Sequence, residues 1–317
     1  MVLVLGQNPF TPHSPQAAAI ASLFEETLAI CGAVFLLVAV LVGLCVVRFR
    51  ARGGADPKQV EGHTRLEIAW TIAPVLVLAA ILFLTVGAMN ASDPPVDREP
   101  DVTIVGHQWW WEVKYPSGAV TANEIHIPTG KPLVFRLESA DVTHDFWVPE
   151  LGRKMDATPG HPMSIWLEAD EPGTYMGTCA EYCGVQHAWM RILVVAESPE
   201  TFAAWERHEL ALAAEPTGDG AARGEALFGS MSCVGCHRVG GAKADGIADT
   251  ARARFAPDLT HLAERATLGA GILANSPTNL ALWLKDPQAI KTGCHMPNAQ
   301  LTKAQTADLV AYFETLR

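Results

Sequence analysis

The sequence predicts a multidomain membrane protein: a two-helix transmembrane hairpin, then a β-sandwich, then a small all-α domain. Three observations predict it. Residues 28–47 and 68–89 carry no charge over twenty and twenty-two positions, far too apolar for a soluble surface. Short β-type runs separated by Gly and Pro follow from residue 101. A Cys-x-x-Cys-His run at 233–237 and a terminal amphipathic pattern complete the chain. The expected boundaries are 1–92 for the N-terminal segment and hairpin, 93–197 for the sandwich, 198–220 for a helical linker and 221–317 for the last domain.

The membrane segments come first. A helix rises 1.5 Å per residue, so about 20 residues cross a hydrocarbon core of roughly 30 Å. A cleaved secretory signal is the competing reading of the first segment, but the apolar stretch is too long and a second span follows at once. For the second segment the competitor is a buried core helix. Pro74 inside it argues neither way, because membrane helices tolerate proline. The connecting loop concentrates Arg48, Arg50, Arg52, Lys58 and Arg65, which places it in the cytoplasm of a bacterial cell. Both termini and residues 90–317 then face the periplasm or its equivalent, where haem is attached covalently.

The formal charge of −11 argues against nucleic acid. It suits a basic docking partner and equally suits ordinary solubility of an acidic periplasmic domain. Seven cysteines do not make a disulfide framework. Cys31 and Cys45 lie in the first span, two pairs have better employment as ligands, and Cys294 is left over.

Runs at 101–115, 124–127, 133–137, 164–167 and 190–195 read as strands. Gly118, Gly130, Pro132, Pro159-Gly160 and Pro172-Gly173 punctuate them. Such spacing gives a sandwich or barrel of roughly 100 residues, with functional residues on loops at one end. On those loops Cys179, Cys183, His187 and Met190 fall within twelve residues. Thiolate, thioether and imidazole select copper over magnesium, calcium or manganese. A zinc site would have no use for the methionine, and a disulfide would need neither His nor Met. His144 is the candidate that closes the shell from a neighbouring strand. The bland alternative is two buried cysteines beside an incidental His and Met.

In His107-Gln108-Trp109-Trp110-Trp111, strand alternation sends Trp109 and Trp111 to one face and Trp110 to the other. One face is core, or the trio forms an exposed aromatic patch where an electron donor docks.

Cys233-Val-Gly-Cys236-His237 is the pattern of covalent c-type haem attachment. Its thiols add to the vinyl groups and His237 ligates iron. A thioredoxin-like or half-zinc reading fails because neither requires the following His, and for want of a second Cys-x-x-Cys pair and of any βαβ context. The sixth ligand is expected at Met296, and His/Met ligation raises the haem potential. Cys294 and His295 are competing candidates just before it. Leu309, Tyr312, Phe313 and Leu316 in the last helix, 304–316, read as core.

The cysteine-rich segment resembles the dinuclear copper (CuA) signature of cytochrome c oxidase subunit II. That resemblance implies a cupredoxin-like sandwich with His144, Cys179, the Glu181 main-chain carbonyl, Cys183, His187 and Met190 as copper ligands. It also implies the Glu181 carboxylate as a magnesium ligand shared with subunit I. Gln-Trp-Trp-Trp is similar to the subunit II run in which the first tryptophan receives electrons, here Trp109. Glu67, three residues before Trp70-Thr71, matches the mouth of a proton-uptake channel, though a carboxylate there could simply snorkel. Pro257 in Ala256-Pro257-Asp258-Leu259 resembles the proline that braces the haem histidine. Relatives commonly carry apolar or small residues where this chain has Cys294 and His295.

With its cytochrome c domain, the chain resembles subunit II of a caa(3)-type oxidase. Electrons would pass from a soluble or membrane-bound cytochrome c or other donor through haem c to copper. From there they would reach subunit I, where oxygen is reduced with proton pumping. The chain has no intramembrane histidine set of its own, so subunit I, and subunit III with it, are implied partners within the lipid. Two alternatives stand: a membrane-anchored copper chaperone, and the equivalent relay of a nitric oxide reductase. A quinol oxidase subunit is disfavoured, since those relatives lack the copper ligands.

Overall fold

The computed structural model describes residues 6–50, 61–92, 98–240 and 255–317. Arg52 and Lys58 of the basic loop, and Asp93, Pro94 and Pro95 at the expected domain boundary, lie outside them. Contacts divide the chain into two units, residues 18–92 and residues 1–17 with 93–317.

The first unit holds most of α1 (Pro15–Arg48) and all of α2 (Thr64–Ser92). Both extend past their apolar stretches, with 18-residue windows of mean hydropathy 3.1 and 2.6. They are apolar all round: Phe35 is 75 % and Phe83 80 % exposed, a surface suited to lipid and not to water. Hydroxyls inside are satisfied locally, Thr71 and Thr85 each donating to the carbonyl four residues back at 2.8 Å. Pro74 leaves the Trp70 carbonyl without its helical donor. The Glu67 carboxylate accepts the His63 N–H at 3.0 Å and so caps the start of α2.

In the second unit, residues before Ala18 return onto the sandwich. His13 N–H donates to Glu150 O at 2.9 Å and Ser14 Oγ to Leu151 O at 2.7 Å.

The sandwich consists of two five-stranded sheets. The first has the order β3 (Val120–Ala122), β2 (Trp110–Lys114), β1 (Val102–His107), β5 (Leu133–Ser139), β8 (Met163–Leu167). The second has β4 (Glu124–Pro128), β10 (Arg191–Glu197), β9 (Gly173–Cys179), β6 (His144–Trp147), β7 (Met155–Ala157). Neighbours pair antiparallel except β1 with β5 and β10 with β4, which run parallel. Inward alternation from both sheets builds one core, in which Ile104, Trp111, Phe135, Phe146, Ile165 and Ile192 are wholly buried.

The run 101–115 is not one strand. It breaks at Gln108-Trp109, and β1 and β2 fold back with His107 opposite Trp110. Trp109 therefore sits in a turn, where alternation no longer dictates its direction. The exposed aromatic patch is absent: Trp109, Trp110 and Trp111 are 8 %, 7 % and 0 % exposed.

The expected linker is helical only over α3 (Pro199–Glu209), capped by Ser198. The last domain packs α4 (Asp219–Ser230) against α7 (Lys303–Phe313), with Phe228 meeting Tyr312 and Phe313 at ring centroids under 6 Å apart. α5 (Pro277–Lys285) and α6 (Pro287–Ile290) are its other α-helices among the described residues. The domain is not purely helical. A two-stranded ladder joins β11 (Thr267–Leu268) to β12 (Leu273–Ala274), because Gly269, Ala270 and Gly271 all take positive φ and reverse the chain.

Candidate metal and haem centres

β6 begins at His144, β9 ends at Cys179, and β10 begins just after Met190. Three strand ends of one sheet thus converge, and the loop 180–190 closes over them with a short 3-10 turn at His187–Trp189. The Cys179 and Cys183 sulfurs lie 3.7 Å apart as free thiols. Around them stand His144 Nδ1, 3.9 Å from Cys179 Sγ, and the Glu181 carbonyl, 3.2 Å from the same sulfur. His187 Nδ1 and Met190 Sδ lie 3.7 and 3.8 Å from Cys183 Sγ. Atoms that bond one ion at about 2.0–2.3 Å sit roughly 3.3–3.8 Å apart around a tetrahedron, so this donor set is spaced to hold soft metal ions. His144, Cys179, Cys183 and Met190 are buried, His187 is half-buried and Glu181 exposed.

Electrostatics already favour a thiolate. The Cys183 thiol beside Cys179 is the main reason the Cys179 pKa falls to about 3, against burial, with His144 and the Glu181 main chain assisting. Cys183, facing that thiolate, is pushed up. Burial alone would lower His144, but hydrogen bonds to Asp141 and Cys179 more than reverse it.

Asp141 was not foreseen. Its Oδ1 lies 2.8 Å from His144 Nε2, which turns Nδ1 toward the sulfurs, and its Oδ2 accepts the Gln108 N–H at 2.7 Å. A carboxylate behind an imidazole fixes tautomer and ring orientation. The one signal for it was an acid three residues before the ligand. Gly106 makes room for the same ring: a Cβ there would lie 2.7 Å from His144 Cδ2.

Trp109 touches this centre from the other sheet. Its Nε1–H donates to the Cys183 carbonyl at 2.9 Å, joined by Gln108 Nε2 at 2.8 Å. Gly184, at φ +118°, lets the indole approach, since a Cβ would stand 2.9 Å from Trp109 Cζ2.

In the last domain Cys233, Cys236, His237 and Met296 line one cavity of about 500 Å³. That lies within the ~300–1,000 Å³ range of cofactor pockets. A tight turn places the cysteines, with the N–H groups of Cys236 and His237 both donating to the Cys233 carbonyl at 3.1 and 2.9 Å. His237 Nδ1 lies 2.8 Å from Pro257 O, leaving Nε2 for a ligand, and burial lowers its pKa toward the neutral form. A neutral imidazole and two thiols from one turn, lining a mostly apolar cavity, fit a covalently attached haem.

His295 and Cys294 line the same cavity. His295 also packs on Trp109 at 4.9 Å between ring centroids, and Cys294 Sγ is 3.3 Å from Gln288 Nε2. Gln288 orders this loop by donating to the carbonyls of Cys294 and Met296, both at 2.8 Å. Nothing in its local sequence signalled that.

Trp109 and Trp110 line this cavity too, so the last domain covers these two tryptophans of the sandwich. Lys291, 4 % exposed, donates at 3.0 Å to each of the carbonyls of Trp109, Trp189 and Gly269. Burial pushes its pKa down to about 7, although three oxygens hold its proton. Apart from these centres, His208, His261 and Glu264 form a cluster in which His208 Nε2 is 2.9 Å from Glu264.

Comparison with known proteins follows the same division. The family model for the transmembrane domain of cytochrome C oxidase subunit II matches residues 6–86, and the one for its periplasmic domain residues 117–197. The cytochrome c model matches residues 221–317. Cytochrome c oxidase subunit 2 of Alkalihalophilus pseudofirmus is 35 % identical over 329 residues, covering 99 % of this chain and 92 % of that one. Its counterpart from Bacillus sp. strain PS3 is 35 % identical, covering 85 % and 80 %. The crystal structure of the periplasmic domain of subunit II of cytochrome oxidase of Bradyrhizobium japonicum is 30 % identical. It covers 35 % of this chain and 95 % of that chain, with a TM-score of 0.33.

Proposed function

The chain belongs to the cytochrome c oxidase subunit II family, with a cytochrome c domain in the same chain, and from that premise we propose which residues perform its work. It is a membrane-anchored electron-transfer subunit of a terminal oxidase, an oxidoreductase complex in which haem c relays electrons. The chaperone reading falls with that membership.

His144, Cys179, Glu181 through its carbonyl, Cys183, His187 and Met190 are the residues we assign to a dinuclear copper centre. Cys233, Cys236, His237 and Met296 are those we assign to haem c. Both groups, when bound, supply reversible one-electron oxidation and reduction. The residues around them hold each centre in place and bury the Cys179 and Cys183 sulfurs. Asp141 holds His144, Pro257 holds His237, Gln288 holds the Met296 loop, and the sandwich core backs the sulfurs. A rigid, water-poor site reorganises little when its charge changes, which suits electron transfer.

Trp109 is our choice for the link between the centres. It lines the haem cavity and donates to the carbonyl of Cys183 at 2.9 Å. That single arrangement carries the reading. Since Trp109 is buried under the chain's own haem domain, an external cytochrome c or other donor meets the haem domain instead. The onward acceptor is subunit I, accompanied by subunit III, and the exposed Glu181 carboxylate is the proposed magnesium ligand toward subunit I.

The basic loop flanked by Arg48 and Arg65 faces the cytoplasm and the metal-bearing domains face the periplasm of a bacterial cell. Glu67, at the cytoplasmic start of α2, is assigned to the mouth of a proton-uptake path.

Copper content with the electron paramagnetic resonance spectrum of the purified chain tests the reading. Two coppers per chain sharing one unpaired electron, beside one covalent haem, is the expected result. A mononuclear copper spectrum would overturn it.

A further inference from the structure

The contact between haem domain and sandwich holds two buried charges of opposite sign, and each points into the other domain. Lys291 of the haem domain is 4 % exposed and reaches the sandwich carbonyls of Trp109 and Trp189, both at 3.0 Å, while also holding Gly269 of its own domain. Glu124, the first residue of β4 in the sandwich, is 3 % exposed. Its carboxylate accepts the N–H groups of Ala266 and Thr267 at 3.0 and 2.8 Å and the Thr267 hydroxyl at 2.8 Å. Three acceptors thus surround the cation and three donors the anion.

Neutral contacts surround these charges. Arg191 N–H donates to Ala270 O at 3.2 Å, Gln186 Nε2 bonds the Thr292 carbonyl, and Trp110, Ala122 and Ala270 form a small apolar cluster. Such contacts would tolerate a small slip of one domain over the other. The charges would not, because a displaced register buries an ion without partners, the costly outcome for any charge taken out of water. Buried charges of this kind add little raw affinity and much selectivity among arrangements. The positions they grip matter equally. Trp109 is tied to the haem domain through its carbonyl and to the metal loop through its indole. Trp189 directly precedes Met190.

We propose that Glu124 and Lys291 are positioning residues that fix the haem domain on the sandwich in a single register. Electrons reaching the haem domain then pass to the metal loop without a docking search by a tethered domain. The inference rests on the electron-relay reading above. With haem and copper bound, the step would move one electron, lost by the haem iron and gained by the copper centre, with no proton exchanged at either pin.

The test uses the purified oxidase complex with Lys291→Met, Glu124→Gln and Thr267→Val. A flash-activated photoreductant reduces haem c, and optical signals follow transfer to copper in buffers of rising glycerol content. The native complex should transfer at a rate independent of viscosity. Each variant should be slower, by about tenfold or more for Lys291→Met. Transfer in the variants should also slow further with viscosity, while haem absorption and the copper resonance stay native. Viscosity dependence is the readout that a merely structural defect would not create. If Lys291→Met does not assemble, the near-isosteric Glu124→Gln and Thr267→Val carry the same comparison. Native-like, viscosity-independent rates in variants with intact cofactor signals would overturn the pins alone. A native complex in which reduced haem c never delivers its electron would overturn the relay reading as well.

Discussion

The indole N–H of Trp109 donates to the carbonyl of Cys183 at 2.9 Å, so a residue lining the cavity proposed for haem is hydrogen-bonded to the backbone of a proposed copper ligand. Replacing it by Phe keeps an aromatic ring and removes the donor. Transfer from haem c to copper should slow severalfold, because the N–H···O link joining the indole to the Cys183 carbonyl is lost. Metal content should stay native. Flash kinetics beside copper analysis check this, and an unchanged rate would remove Trp109 from the route.

Asp141→Asn should weaken copper binding by about 10–100-fold, the usual consequence of losing a carboxylate behind a ligating imidazole. Competition with a chelator at fixed free copper reads the affinity. Haem content serves as the internal control.

Met190→Leu should retain copper while changing the hyperfine pattern and the potential, because a weak thioether ligand tunes a centre more than it anchors it. Identical spectra would take Met190 out of the ligand set.

Glu67→Ala should slow oxidase turnover and leave reduction of haem c and copper intact. It also removes the carboxylate that caps α2 by accepting the His63 N–H at 3.0 Å, so Glu67→Gln separates proton supply from capping. Normal turnover in both variants would leave the residue with its cap alone.

Burial raises the Glu209 carboxyl from 4.5 to about 7, with Glu264 and Asp258 adding to the shift and Arg265 opposing it. The native state therefore holds a proton that the unfolded chain releases first. Stability should be greatest below pH 4.5 for this group and fall as pH rises toward 7, by about 3 kcal/mol in total. Denaturant midpoints of native and Glu209→Gln protein across that interval give the measurement. The substitution should flatten the slope.

What the sequence revealed was local chemistry. Cys179, Cys183, His187 and Met190 lie within one loop, and Cys233, Cys236 and His237 within one turn, so spacing alone exposes them. The membrane helices were equally legible, because lipid demands an unbroken apolar run. Residues whose roles arise across the fold were hidden. Lys291 meets Trp109 across 182 positions, and Glu124 meets Thr267 across 143. The hairpin at Gln108-Trp109 was missed because three tryptophans in a row carry strand-like bulk and no turn residue. Strands β3, β6, β7 and β9 were missed as well. Three are four residues or shorter, and β9 holds two glycines.

The covered position of Trp109 separates the chain's two electron-transfer steps by their response to ionic strength. Under the proposed relay, a basic external donor would find the acidic chain by long-range attraction, which fades as the Debye length shrinks from about 30 Å at 0.01 M salt to about 10 Å at 0.1 M. The inner step crosses a contact whose charges are already buried and hydrogen-bonded, beyond the reach of dissolved ions. Surroundings that swing in salinity would then change how fast electrons arrive. It would not change how fast they move once aboard.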